Sequence, residues 1–397
     1  MRRRWGAIFL AAVAAARAFV AFAPTASADA MDELVAAAKK EGQLSVIALP
    51  RDWCGYGGII DGFATKYRLS VSELQPDAPS AKEIEAITQQ PGKTGAEMPD
   101  VIDIGLSFAP SAKREGLLQP YKVSTWDTIP DAAKDADGYW YGDYYGVVVF
   151  EINANLVKQS PQDWADLLAP EYRNSVSLAG DIFSNQAIQG VFAAGLSAAK
   201  GNMDEAADRG LEFFADLHRK GNFVPIVGDA RSLADGRTPI LIRWDYLALG
   251  DRDRLAGKTK VEIVRPETGA VAGVYVQAIS ARALHPNAAR LWMEYLYSDE
   301  VQLAFLKGHC SPIRLADLVR NGKLPAELRN SLPQFEGGVG YADPAFPSVD
   351  EQERAREIIM KGWDGIVGAK FECRPPEESF GPMSSNDSGL CPAPVPQ

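Results

Sequence analysis

Short apolar runs alternate with stretches of helical periodicity along this chain, and that alternation limits it to few architectures. Residues 33–41 set Leu34, Ala37 and Ala38 on one helical face, and Gly42 follows as a stop signal. Residues 44–49 read as a buried strand, 50–58 as a turn, and the next helix runs to Tyr67. A second strand covers 70–74, a helix 80–90 opens on a serine cap with Glu83 three residues on, and 101–104 form a third strand with Ser107 in its exit loop. The pattern predicts a parallel sheet with helices on both faces, in which ligands sit at the carboxyl ends of the strands.

After Asp127 the pattern breaks. An aromatic cluster, 139–145, leads into a strand at 147–153. A second α/β unit follows, with a strand at 176–178, a loop at 179–185, helices to Lys200 and over 203–220, and strands around 223–227, 240–242 and 261–264. Residues 273–279 read as a strand, 286–297 and 298–308 as helices, and a Pro/Gly-rich stretch at 333–347 precedes a last helix over 349–367.

The N-terminus carries a different signal. Arg2, Arg3 and Arg4 precede an apolar, alanine-rich stretch to Ala23, and Ala26-Ser27-Ala28 offers the small residues of a cleavage site, so residues 1–28 read as a secretory signal peptide. The net charge of −11 becomes −15 when Arg2, Arg3, Arg4 and Arg17 leave with it. An acidic chain is a poor general binder of nucleic acid, and 46% hydrophobic residues allow sizeable cores. Three scattered histidines and no CxxC pattern argue against a metal site. In an oxidising compartment the four cysteines are candidates for pairing. Cys373 and Cys391 flank a Pro/Ser/Gly-rich tail, 371–397, that a bridge would staple; for Cys54 and Cys310, bridge and separate thiols both stay open.

Several segments, in order, resemble the extracellular solute-binding proteins of bacterial ABC importers, in the subgroup that binds ferric iron, polyamines, thiamine and phosphonates. They are residues 34–42, Phe63-Ala64-Thr65-Lys66-Tyr67, Asp100-Val101-Ile102-Asp103-Ile104, 113–121, 160–168 and 285–296. The resemblance spans about residues 29–332. It implies an α/β, two-lobed periplasmic binding protein clamp with two hinge-crossing strands. Lobe 1 would be 29–148 plus 275–370, and lobe 2 would be 149–274. It also implies a monomer in the periplasm that passes a small polar solute to an ABC permease in the inner membrane, without cofactor, nucleic acid or catalysis.

Position then selects candidate ligand-binding residues. Trp53, Cys54 and Ser107 lie at strand exits of the first lobe, Asp181, Ser184, Trp244 and Asp245 at those of the second, and Tyr275 on a hinge strand. Trp244 and Asp245 would grip a cation by ring face and charge, so an organic cation such as a polyamine is favoured. Ferric iron and a phosphonate or phosphate ester are alternatives for the same clamp. In the family's iron binders two adjacent tyrosines supply phenolates near this point, whereas here Asp245 precedes Tyr246. The helix start after Ser184 could hold an anion on its free N–H groups. The rival class is an exported enzyme, but GxSxG, HExxH, P-loop and GxGxxG motifs are all absent from the sequence.

Overall fold

The computed structural model describes residues 26–88, 98–329 and 345–371. The expected signal peptide, except for its last three residues, and the expected Cys373–Cys391 bridge lie outside the described residues. Among the described residues no helix is long and apolar enough to cross a membrane.

The strands, in chain order, are Gln43–Ile47 (β1), Ser70–Leu74 (β2), Val101–Gly105 (β3), Leu118–Gln119 (β4), Tyr141–Asn153 (β5), Val176–Leu178 (β6), Ile240–Trp244 (β7), Val261–Val264 (β8), Ala272–Ser280 (β9) and Ser311–Pro312 (β10). The helices are Ala26–Glu41 (α1), Tyr56–Tyr67 (α2), Ser80–Thr88 (α3), Ala109–Arg114 (α4), Asn185–Ala198 (α5), Met203–Arg219 (α6), Ala230–Asp235 (α7), Asp245–Arg254 (α8), Pro286–Leu296 (α9), Asp299–Lys307 (α10), Leu315–Arg320 (α11), Ala326–Arg329 (α12) and Val349–Ile366 (α13). Their ends follow local chemistry. Asn202 caps α6 by accepting the Asp204 N–H, Ser348 and Glu351 form a reciprocal capping box on α13, and Pro286 opens α9, where an N–H has no partner to lose.

The strands are hydrogen-bonded in the order β2-β1-β3-β9-β5-β7-β6. β1 runs parallel to β2 and β3, and β6 parallel to β7. The centre is antiparallel, with β9 against both β3 and β5 and β5 against β7. The expected parallel sheet is thus found at the two ends and not in the middle. Path explains the difference. β5 carries the chain from the first group of strands to the second, β9 returns it, and two crossings in opposite senses lie antiparallel.

β5 changes partner along its length. Residues from Tyr141 to Val147 pair with β9, and from Val148 to Ile152 with β7. The aromatic cluster expected ahead of the strand is therefore largely its first half, since aromatic side chains suit a pleated surface. A bulge between Gly142 and Tyr144 breaks the in-and-out alternation, and both Asp143 and Tyr144 are buried there. The strand expected at 223–227 reduces to an isolated bridge between Phe223 and Val176. Pro225, with no N–H to donate, interrupts the ladder.

Two long-range features tie distant parts of the chain together. Cys54 and Cys310 form a disulfide with Cα atoms 5.2 Å apart, which resolves the pairing that sequence left open. Helix α13 rests on the helices of the second group, where Gln189 Nε2 donates to Gln352 Oε1 at 3.0 Å and Trp363 meets Phe214 with ring centroids 5.7 Å apart. It also reaches the first group, through an Arg114–Glu353 ion pair and through Arg356 lying 4.8 Å over the Phe108 ring. The sequence reading placed the whole of 275–370 in the first lobe.

Candidate functional site

The junction of the two groups of strands is lined by side chains that each element delivers from its end. Trp53 stands in the turn before α2, and Ser107 in the 3-10 turn Leu106–Phe108 that follows β3. Tyr144 comes from β5 and Tyr275 from β9. From the other side, Asn185 is the first residue of α5, Trp244 the last of β7, and Asp245 and Tyr246 the first two of α8.

The aromatic rings meet mostly edge to face. Trp53 lies 6.1 Å from Tyr246 and 6.3 Å from Tyr275, centroid to centroid, and Trp244 lies 6.4 Å from Tyr275. Tyr144 stacks on Tyr275 at 5.3 Å and meets Tyr246 at 5.8 Å. Alongside them, the Ser107 hydroxyl donates to Asn185 Oδ1 at 3.4 Å, from one group of strands to the other. This approach depends on Gly105, because a Cβ there would stand well inside contact distance of the Asn185 side chain.

Beneath the rings lies a buried acidic group. The Asp103 N–H donates to Glu83 Oε2 at 2.8 Å, and Asp103 Oδ2 accepts from the Tyr144 hydroxyl at 3.3 Å. Its other oxygen, Oδ1, is buried without a hydrogen-bond partner. Burial pushes the Asp103 carboxyl well above its ordinary range, and the nearby charges of Asp143 and Glu83 push it further. Asp143, also raised chiefly by burial, accepts from the Tyr56 hydroxyl at 2.7 Å.

Three more buried polar groups at the junction lack partners: Trp244 Nε1, Asn185 Nδ2 and the Tyr246 hydroxyl. The Tyr275 hydroxyl is near enough to Trp244 and Asn185 for them to oppose the rise that burial causes in its pKa, but without hydrogen-bond geometry. A buried polar group left unpaired costs about 1–3 kcal/mol. Four such groups in one place, an acceptor among donors, suit a polar guest that brings its own donors and acceptors.

Asp245 is held differently. Its Oδ1 accepts the N–H groups of Val147 at 3.0 Å and Tyr246 at 2.9 Å, yet burial outweighs these bonds and raises its pKa to about 7. Gln186 supports the same corner by accepting the Trp244 N–H at 3.0 Å.

Of the residues singled out from sequence, Trp53, Ser107, Trp244, Asp245 and Tyr275 gather at this junction. Cys54 adjoins it with its sulfur committed to Cys310. Ser184 caps α5 by accepting the Ala187 N–H at 3.2 Å. Asp181 closes the preceding turn by accepting the Phe183 N–H, and it faces the charge of Lys82 on α3. Asn185, Tyr144 and Tyr246 were not selected from sequence. In the sequence Tyr144 is one of several residues in the aromatic cluster at 139–145, and Asn185 has only its position after a helix cap to mark it. Ser107 faces Asn185 rather than a base, while His285 and His309 pair with Asp100 and Asp253.

A family profile described as bacterial extracellular solute-binding protein matches residues 96–334. Solved structures resemble the chain at low identity. Iron-bound HitA from Pseudomonas aeruginosa is 17% identical over 80% of this chain and 97% of that one, with a TM-score of 0.60. AfuA from Actinobacillus pleuropneumoniae, with fructose-6-phosphate bound, is 20% identical over 82% and 98%, with a TM-score of 0.62. A protein from Listeria monocytogenes described as a spermidine/putrescine ABC transporter is 14% identical over 81% and 98%, with a TM-score of 0.59. At these identities the likeness is one of fold.

Proposed function

The chain belongs to the bacterial extracellular solute-binding protein family and has the two-lobed periplasmic binding protein fold, with β5 and β9 as its crossing strands; on that premise we propose that it captures a small organic cation between its lobes. The lobes divide near residues 148 and 274, and the solute passes to the permease of an ABC importer without chemical change. The protein acts as a monomer in the periplasm, after loss of residues 1–28.

One observation carries the choice of solute. Asp103 presents a buried, unpartnered oxygen at the foot of an aromatic group made of Tyr144, Tyr246, Tyr275, Trp53 and Trp244, and the strongest charges acting on it are those of other acids. An ammonium group satisfies both features, because ring faces attract cations and the carboxylate gains a charged donor. The neighbour described as a spermidine/putrescine transporter is consistent with that class.

A second reading rests on the same oxygens. Tyr144, Tyr246 and Tyr275 bring phenols towards Asp103, a donor set of the kind a ferric ion takes, and iron-bound HitA shares the fold. Burial holds all three phenols above their ordinary pKa, which works against phenolates, and the two indoles offer no ligand atom.

A thermal-shift panel of putrescine, spermidine, thiamine, ferric citrate and phosphonates separates these readings. The expected result is stabilisation by an organic cation alone. A visible tyrosinate charge-transfer band with ferric citrate would move the assignment to iron, and stabilisation only by phosphonates would overturn the cation reading.

A further inference from the structure

Away from the aromatic group, the lobes also meet at their rim, and the contact has a definite construction. The disulfide ties the turn before α2 to the segment after α10. On each side of it a neighbouring residue reaches across to the last turn of α8. Asp52, two residues before Cys54, pairs with Arg254, and His309, one residue before Cys310, meets Asp253 at 3.0 Å. Gly308 belongs to the same joint, since a Cβ there would run into the backbone of Cys54.

The α8 side is anchored in the second lobe. Arg254 also pairs with Asp251, which is fully buried, and Asp251 pairs with the buried Arg243, itself 2.9 Å from Glu151 on β5. Opposite charges therefore alternate from Arg243 through Asp251 and Arg254 to Asp52. An isolated surface pair gains little because two long side chains must be immobilised. Here Asp251 already holds Arg254, and the disulfide restrains the segment that carries Asp52.

We propose that the disulfide-joined rim of the first lobe and the last turn of α8 form an electrostatic clasp, with Asp52, Arg254, Asp253 and His309 as positioning residues that set how long the lobes stay closed. This goes beyond the identity of the solute and does not depend on it. Trp53 of the candidate site lies between Asp52 and Cys54 in the chain.

Hydrogen exchange on the solute-free mature protein tests it, with Asp52→Asn, Arg254→Gln and the double variant compared at low and high salt. Both altered residues are about half exposed or more, so the fold is expected to survive, and unchanged melting temperatures check this. Asp52→Asn is expected to speed exchange in its own turn and also across the rim in residues 251–255, by up to about fivefold. The double variant should add little to either single one, and high salt should reduce the difference. Exchange in α8 that ignores Asp52→Asn, or effects of the two substitutions that simply add, would overturn the proposal. Small-angle scattering gives an independent reading, the expected result being a more extended average shape for Arg254→Gln.

Discussion

Gly146 stands opposite Gly273 in the antiparallel pair of β5 and β9, just before β5 exchanges β9 for β7. Neither offers a side chain, and the second lobe uses the space: the Tyr246 ring lies over Gly146 and the Trp244 indole over Gly273. The aromatic group thus rests on the two strands that join the lobes.

Gly273→Ala is expected to displace Trp244, because a Cβ there would fall inside the indole. Overpacking of this kind costs about 1–3 kcal/mol. Urea unfolding should show the loss, and tryptophan emission should shift. An unchanged stability and spectrum would contradict this placement of Trp244.

Asp103→Asn keeps the shape of the side chain and removes its charge. Titration calorimetry with whichever cation the thermal-shift panel selects should show affinity reduced by about tenfold or more, equivalent to about 1.4 kcal/mol. Stability without solute should hold or rise, since the carboxylate is buried among other acids. Equal binding by the variant would remove Asp103 from the site.

Stability should fall as pH rises from about 4 to about 7. The Asp245 carboxyl has an ordinary pKa of 3.8, raised by burial to about 7 in the folded chain. The native state therefore holds a proton that the unfolded chain releases in that window, and the stabilisation is present below it and lost through it. The loss is of the order of 4 kcal/mol for this group. Asp245→Asn should flatten the slope of unfolding free energy against pH, and an unaltered slope would show that Asp245 is not its source.

Arg243→Met leaves Glu151 and Asp251 buried without their shared cation. Breaking a buried ion group in this way costs about 3–5 kcal/mol. Equilibrium urea unfolding should record that loss, and a loss below about 1 kcal/mol, the range of exposed pairs, would mean that water reaches the group.

The bond between Cys54 and Cys310 spans a sequence separation of 256. Restricting the unfolded chain over such a loop is worth about 5 kcal/mol in the chain-entropy account. The paired change Cys54→Ala with Cys310→Ala should lower the melting temperature under non-reducing conditions, and an identical melting temperature would argue that the bridge does not form.

Much of the architecture was legible from Glu33 onward because apolar periodicity and capping residues act within a few positions. The third strand, the turn holding Ser107 and the capped start of α5 all follow from such signals. Trp53 and Trp244 stand out in the sequence because a βα topology brings strand ends together, Tyr275 because it lies on an expected hinge strand, and all three lie at the junction. Asn185, Tyr144 and Tyr246 were not selected because their importance comes from partners far along the chain: Ser107 for Asn185, Tyr275 for Tyr144 and Trp53 for Tyr246.

By itself the sequence determined the alternating elements, the acidic balance and the family resemblance, since each is written in local order or in composition. Tertiary structure alone decided that β9 runs antiparallel between β3 and β5, that Cys54 joins Cys310, that α13 touches both groups of strands and that one oxygen of Asp103 is buried without a partner beside the aromatic group. These depend on which distant segments become neighbours, and burial then sets the charge, the pairing and the pKa of each group.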